Sequence, residues 1–284
     1  MAGDEYVIQD GKIIQSDSAV IPAISSGACY GDGCFETWRS YSGSSSMAGR
    51  HLKRLKLSMS YLGMVIPANF TSAYFDEMTD RLLTQNGLKE DARIRLQVWR
   101  IGRLGYHTNA SDVISYLLTS SPFNHNINPV HLKTVSMHRI PSVSLQSNFK
   151  LSNGLNYILA RREAELAGFD DALMLDMRNH ISETTIANIF WSKKNTIYTP
   201  SEHCDLLPGI TREVFLEWMG QQDDLILESG EYTLGHVLQA ERVWLTNSVQ
   251  EIIPVAAINN TKFKTDDSWL NKLREAYREK IGHA

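Results

Sequence analysis

Four places in this 284-residue chain carry side chains or amides whose chemistry reaches beyond packing. Lys150 stands between an extended stretch and the run LNYILARREAELAG, so it can project at the edge between sheet and helix. Partly desolvated there, its amine holds its proton less tightly and can condense with an aldehyde to an imine. A solvated surface lysine is the commoner outcome for the residue type. Glu183, in ISETTIANIF, lies in a β-rich region where an unpaired carboxylate is costly to bury. Facing a pyridine nitrogen, it would keep that nitrogen protonated and make the ring an electron sink; a capping or edge-strand glutamate accounts for it equally well. Arg54 lies off the apolar face of a helix, where a guanidinium can fork onto a phosphate or simply be solvated. Gly209-Ile210-Thr211 opens a helix whose free amides suit a phosphate, a property every helix start shares.

Periodicity supplies the elements that position these groups. YVIQDGKIIQ reads as a hairpin around Asp-Gly, and GDGCFETWRSYSG alternates as a strand from Cys34 onward. Leu52, Leu55, Met59 and Leu62 recur at helical spacing over residues 51–62, closed by Gly63. TSAYFDEMTDRLLTQNG is a second helix, with a Thr cap and an Asn-Gly end. The strands ARIRLQVWR and DVISYLLTSSP follow. SSPFNHNINP is polar and unpatterned, which places a linker near 120–129 and domains at 1–122 and 130–284. Beyond it come the strand VHLKTVSMHRI, a helix over 153–167, and four short β segments, ALMLD, HISETT, NIFWSK and NTIYTP. The helix ITREVFLEWMGQQ, the segments LILESGEY, TLGHVLQA and RVWLTN, and a helix from about Trp269 to Ile281 complete the chain. Strands and helices without strict alternation predict two α+β domains.

Composition narrows the partners. A hydrophobic fraction of 43% and a charged fraction of 21% allow a substantial core. The net charge of −4 comes without a basic stripe, so neither nucleic acid nor a membrane surface is expected as a partner. Apolar stretches fall well short of the roughly 18 residues of a membrane span. MAGDEYVIQDGK has acids where a secretory signal places bases. Cys29, Cys34 and Cys204 are sparse and lack metal-ligand spacing, so neither a disulfide framework nor a metal is expected. A cytoplasmic enzyme acting on a small amino substrate fits these features.

Taken in order, GDGCFETWR, HLKRL, KLSNGLNYILARREA, DDALMLD, ISETTIANIFW, IYTP, LLPGITR and LTNSVQEIIPV resemble the fold-type IV pyridoxal-phosphate family. That family holds branched-chain aminotransferases, D-amino-acid aminotransferases and aminodeoxychorismate lyases, and the resemblance runs from about residue 6 to 256. It implies a small N-terminal α/β domain, a larger C-terminal β-barrel-like domain with helices, a homodimer, and pyridoxal 5'-phosphate as cofactor. By position, Lys150 is similar to the lysine that binds the cofactor and moves the proton. Glu183 resembles the partner of the pyridine nitrogen, with Asn188 five residues on. Arg54, the amides of Ile210 and Thr211, and Ser248 resemble the phosphate site.

Within the family, Leu155 stands where branched-chain enzymes have a tyrosine, which argues against that branch. Thr37, on the strand facing the cofactor, joins Lys150 as a candidate catalytic residue. WRIGRLGYHT, with Arg103 and Tyr106, and Asn247 in LTNSV are similar to the lyase pattern, whereas the EIIPV ending resembles aminotransferases. Arg39 and Arg100 or Arg103 are candidate substrate-carboxylate partners in either case. His107 reads as a polar loop residue. The resemblance thus implies an aminodeoxychorismate lyase first and an aminotransferase second.

Overall fold

A computed structural model of the chain describes residues 5–282 apart from 43, 46–47, 103–104, 108–112, 124–126, 223–224 and 266. The chain divides into two compact units, Met1–Asn124 with Phe149–Gly154, and His125–Asn148 with Leu155–Ala284.

In the first unit, β1 (Tyr6–Gln9) and β2 (Lys12–Gln15) form the Asp-Gly hairpin. Asp10 and Gly11 take φ of 50° and 82°, the positive values its two-residue turn needs. There follow α1 (Ser26–Tyr30), β3 (Gly33–Tyr41), β4 (Ser44–Ser45), α2 (Ala48–Tyr61), α3 (Ser72–Gln85), β5 (Ala92–Ile101) and β6 (Val113–Pro122). The sheet is antiparallel in the order β2-β1-β6-β5-β3-β4. Alternation gives it two unlike faces. Trp38, Ile94, Leu96 and Leu118 pack with Leu55 and Met59 of α2 and Leu82 of α3 into one core. The residues between them, Phe35 and Thr37 on β3 and Arg95 and Gln97 on β5, remain half-buried.

The segment Phe149–Gly154 is extra to this sheet. Phe35 N donates to Lys150 O at 3.0 Å and Ser152 N donates to Gly33 O at 2.9 Å, around a bridge between Cys34 and Leu151. The sequence division put Lys150 in the C-terminal domain; these main-chain bonds place it in the first unit. Gly31 permits the approach: its φ is 70°, and a Cβ there would meet the Asn153 backbone at 3.2 Å.

The second unit contains β7 (Val130–Thr134), α4 (Leu155–Leu166), β8 (Asp171–Leu175), β9 (Ile181–Thr184), β10 (Asn188–Lys193), β11 (Thr196–Pro200), α5 (Ile210–Met219), β12 (Ile226–Gly230), α6 (Leu234–Val237), β13 (Arg242–Asn247), β14 (Glu251–Ile258), β15 (Thr261–Lys262) and α7 (Asp267–Lys280). Its mixed sheet runs β12-β11-β10-β13-β14-β7-β8-β9, with β15 on β14. A further pairing of Asn188 with Glu183 joins β9 to β10 and closes β10-β13-β14-β7-β8-β9 into a barrel-like ring. Leu132, Leu173, Ile189, Leu245, Ile253 and Val255 fill one core of the unit. The fold is α+β with a barrel-like second sheet, as expected.

Apart from the two-residue strands β4 and β15, three elements differ from the sequence reading. The strand expected over 130–140 stops at Thr134. Helix α1 and strand β14 did not show in the pattern, and β14 carries Pro254, a residue that argues against a strand. Among the described residues no helix is long and apolar enough to cross a membrane.

Candidate active site

The polar centre of the first unit is built on β3. Successive residues of a strand point to opposite faces, so Glu36 goes to the core side toward α2 while Phe35 and Thr37 go to the other. Burying a carboxylate is costly, and here the cost is met in kind. Arg54 donates from Nε to Glu36 Oε1 at 2.7 Å and from Nη2 to Oε2 at 2.8 Å, and His51 Nδ1 lies 2.7 Å from Oε2. Burial opposes ionisation of Glu36, but the charge and hydrogen bonds of Arg54, with those of His51, outweigh it and bring its pKa down to about 2. His51 is pushed below the usual imidazole range, by burial first and despite Glu36. It is therefore neutral, and Arg54 with Glu36 forms the ion pair.

Lys150 sits on this unit with its main chain fixed to β3 and its own amide donating to Ser58 Oγ on α2 at 3.3 Å. Its Nζ lies 4.7 Å from the Phe35 ring centroid, and the Arg95 guanidinium lies 3.9 Å from the same ring. Burial, with the charge of Arg93, lowers the Arg95 pKa to about 10, so it remains a cation. Arg95 pairs in register with Thr37, and its Nη2 donates to Gln97 at 2.9 Å. Sequence reasoning passed over Arg95 and Gln97. The signal was present in the alternation of ARIRLQV, whose polar residues share a face with Thr37.

Two expected substrate arginines are committed elsewhere. Arg39 is 3% exposed, ion-paired with Asp91 and packed on the rings of Tyr41 and Phe123. Arg100 is 1% exposed and bonds Asp32 at 2.8 Å and the Leu62 carbonyl. Arg100 points to the core side of β5, whereas Arg39 shares the Thr37 side of β3 but is held there by Asp91 and the two rings. Arg103 lies outside the described residues. Tyr106 is exposed, with its ring 5.4 Å from that of Tyr30.

The second unit's centre follows from the ring closure, which sets Glu183 opposite Asn188. Glu183 is buried; Oε1 accepts from the Tyr157 hydroxyl at 2.8 Å and lies 3.2 Å from Arg139 Nε. Oε2 accepts from Asn188 Nδ2 and from the Leu207 amide, both at 3.2 Å. Asn188 Nδ2 also donates to Leu207 O at 2.8 Å, tying β10 to the loop before α5. Tyr157 and Arg139 escaped the sequence reading, because contacts between α4, an irregular loop and β9 leave no local periodicity.

That loop leads to Gly209, which caps α5 without any side-chain bond and leaves the amides of the first turn uncovered by a cap. A Cβ at Gly209 would overlap Asn188 Oδ1, so only glycine fits. Thr211 Oγ1 lies 3.4 Å from Ser248 Oγ and 3.4 Å from the Tyr277 hydroxyl. Across β13, the buried Thr246 Oγ1 lacks a partner among the described residues. The structure thus gathers Glu183, Asn188, Ile210, Thr211 and Ser248 in one unit. Asn247, expected at the substrate, instead caps its own turn: its Oδ1 accepts from Val249 N at 3.0 Å and Gln250 N at 2.8 Å.

Comparison with known proteins bears on these clusters. The model of the family described as amino-transferase class IV matches residues 33–258. The chain is 30% identical over 261 residues to an aminodeoxychorismate lyase of Bacillus subtilis, covering 89% of this chain and 87% of that one. It is also 30% identical over 275 residues to a putative branched-chain-amino-acid aminotransferase of Methanocaldococcus jannaschii, covering 95% and 94%. The fold is similar to that of a branched-chain amino acid aminotransferase from Thermobaculum terrenum solved in its PLP form, with a TM-score of 0.87, 23% identity, and coverage of 100% and 96%.

Proposed function

The chain belongs to the class IV aminotransferase family of pyridoxal-phosphate-dependent enzymes, and within it we propose that this protein is an aminodeoxychorismate lyase, releasing pyruvate and 4-aminobenzoate. The residues present fit the cofactor. A buried carboxylate ringed by donors suits a pyridinium nitrogen, and an uncapped helix start with the hydroxyls of Thr211 and Ser248 suits a phosphate. Glu183, Asn188, Ile210, Thr211 and Ser248 would hold it, and Lys150 would bind its aldehyde carbon. Arg54, oriented by Glu36, is assigned to the phosphate. When bound, pyridoxal phosphate supplies an electron sink for negative charge developing on the carbon that bears the substrate's amine.

The observation that carries the lyase reading is the half-buried face of the first sheet beside Lys150. Arg95, Gln97 and Thr37 make it polar and cationic, suited to ring and enolpyruvyl carboxylates and poorly suited to a branched aliphatic chain. Lys150 Nζ takes the proton from the ring carbon bearing the amine. The electron pair left behind expels the enolpyruvyl oxygen from the neighbouring carbon, the ring becomes aromatic, and the leaving group, released as the enolate, takes up one proton at its methylene carbon to become pyruvate. Arg95 holds a carboxylate during this step, and Thr37 bonds substrate or water.

A second reading, amino transfer between a D-amino or branched-chain amino acid and a 2-oxo acid, is favoured by the equal identity to the Methanocaldococcus protein over a larger share of both chains. There Lys150 would take the proton from the substrate's Cα instead of from a ring carbon. A cytoplasmic homodimer belongs to both readings; Cys29, Cys34 and Cys204 are all free thiols, which suits a reducing compartment.

The deciding experiment incubates the purified holoenzyme with aminodeoxychorismate, and separately with D- and L-amino acids plus 2-oxoglutarate. Release of pyruvate and 4-aminobenzoate is expected. Amino transfer above about 1 s⁻¹, near the low end of ordinary turnover, with aminodeoxychorismate untouched, would replace the lyase by the second reading. Borohydride reduction should fix the cofactor on Lys150, and label on another lysine would remove both.

A further inference from the structure

Three hydrogen-bond donors and a guanidinium converge on the buried carboxylate of Glu183. They come from four segments: Tyr157 on α4, Arg139 in the irregular stretch after β7, Asn188 on β10, and the Leu207 amide before α5. Arg139 is itself pinned, donating from Nε to Asp205 O at 3.1 Å and from Nη1 to Asn156 Oδ1 at 3.1 Å, with its guanidinium 4.3 Å from the Tyr157 ring. The buried Arg212 of α5 adds a second positive charge within Coulombic reach of the carboxylate. Asp205 meets Arg139 through its main chain, while its carboxylate is turned to Ser142. Arg139 and Arg212 thus both bring positive charge to Glu183, and Tyr157 stays a neutral donor because burial, then the charge of Glu183, push its hydroxyl well above the usual phenol range.

Each donor and each positive charge on a carboxylate stabilises its ionised form and makes it a weaker proton acceptor. This acts fully on the oxygen it touches and falls off with distance. Resting on the reading that Glu183 faces the cofactor's ring nitrogen, we propose that Arg139 and Tyr157 are positioning residues that keep the proton shared by that pair on the nitrogen. They do so by making the carboxylate too weak a base to take it. A bare buried glutamate would be a stronger base and would leave the ring neutral, with less capacity to absorb negative charge. The pair Arg139 and Tyr157 therefore sets the electronic state of the ring without touching the reacting atoms.

The test reads the nitrogen directly. Wild type, R139M, R139K, Y157F and E183Q are each loaded with pyridoxal phosphate labelled with ¹⁵N in the ring, and the nitrogen shift is followed from neutral to mildly alkaline pH without substrate. Wild type should give a pyridinium-like shift. R139M should move toward the neutral pyridine value, with the ratio of protonated to neutral nitrogen falling about tenfold, the change one pK unit produces. Y157F should move in the same direction, and R139K, which restores the charge, should return toward wild type. If R139M fails to fold or to load, Y157F lacks only one oxygen atom and carries the test. Wild-type shifts in the loaded variants would overturn the proposal, provided E183Q reads as neutral pyridine. A pyridinium-like E183Q would overturn instead the pairing of Glu183 with the nitrogen.

Discussion

Replacing Glu36 by Gln keeps the shape of the side chain and removes the charge that Arg54 and His51 were arranged to meet. Its size follows from the ionisation of Glu36, whose pKa moves from 4.5 to about 2 on folding. At about 1.4 kcal/mol per unit, that depression contributes about 3 kcal/mol to stability at neutral pH. The carboxylate is buried and its partners are within 2.8 Å, so little is lost to solvent screening. The folded pKa is depressed, so the contribution is fully present above pH 4.5 and is lost as pH falls toward 2, with less than half left at about pH 3. Urea unfolding of wild type and E36Q at a series of pH values checks this. The expected difference is about 3 kcal/mol at neutral pH, narrowing steadily below the unfolded-state pKa. A neutral-pH difference under about 0.5 kcal/mol, the range of ordinary surface changes, would refute the reasoning. So would a difference that does not narrow in acid. Because Glu36 orients Arg54, the same variant should bind pyridoxal phosphate more weakly, by roughly tenfold if one charge-assisted bond is misaimed.

Three other outcomes are expected. Glu183→Gln should lower the catalytic rate by roughly 10²- to 10³-fold while reducible cofactor still attaches to Lys150; activity within about threefold of wild type would detach Glu183 from the chemistry. Gly209→Ala forces a Cβ onto Asn188 Oδ1 and should destabilise the fold by about 1–3 kcal/mol and weaken cofactor binding, both measurable by thermal unfolding with and without pyridoxal phosphate. Arg39→Met removes the cation paired with Asp91 and should cost about 3–5 kcal/mol of stability, while KM of the folded enzyme stays unchanged; a large rise in KM with stability intact would restore Arg39 to the substrate.

Much of this protein was legible in the sequence. Periods of 2 and 3.6 marked strand β3 and helix α2, because burying one face of an element imprints its period on the chain, while Asp-Gly marked the hairpin and caps and turn residues bounded α3, α5 and β10. The types and order of Lys150, Glu183, Asn188 and the Gly209 helix start carried the resemblance to the family that the comparison then showed. What tertiary structure alone decided was partnership. Arg39, Arg100 and Arg95 are alike as letters, yet Asp91 and Asp32 engage the first two, while the third stays half-buried beside Thr37. Lys150 joins the first unit through main-chain bonds to β3, which no side-chain pattern encodes. Tyr157 and Arg139 reach Glu183 across 26 and 44 positions of chain, because closure of the second sheet onto itself, and not proximity in sequence, brings a helix, a loop and a strand to one carboxylate.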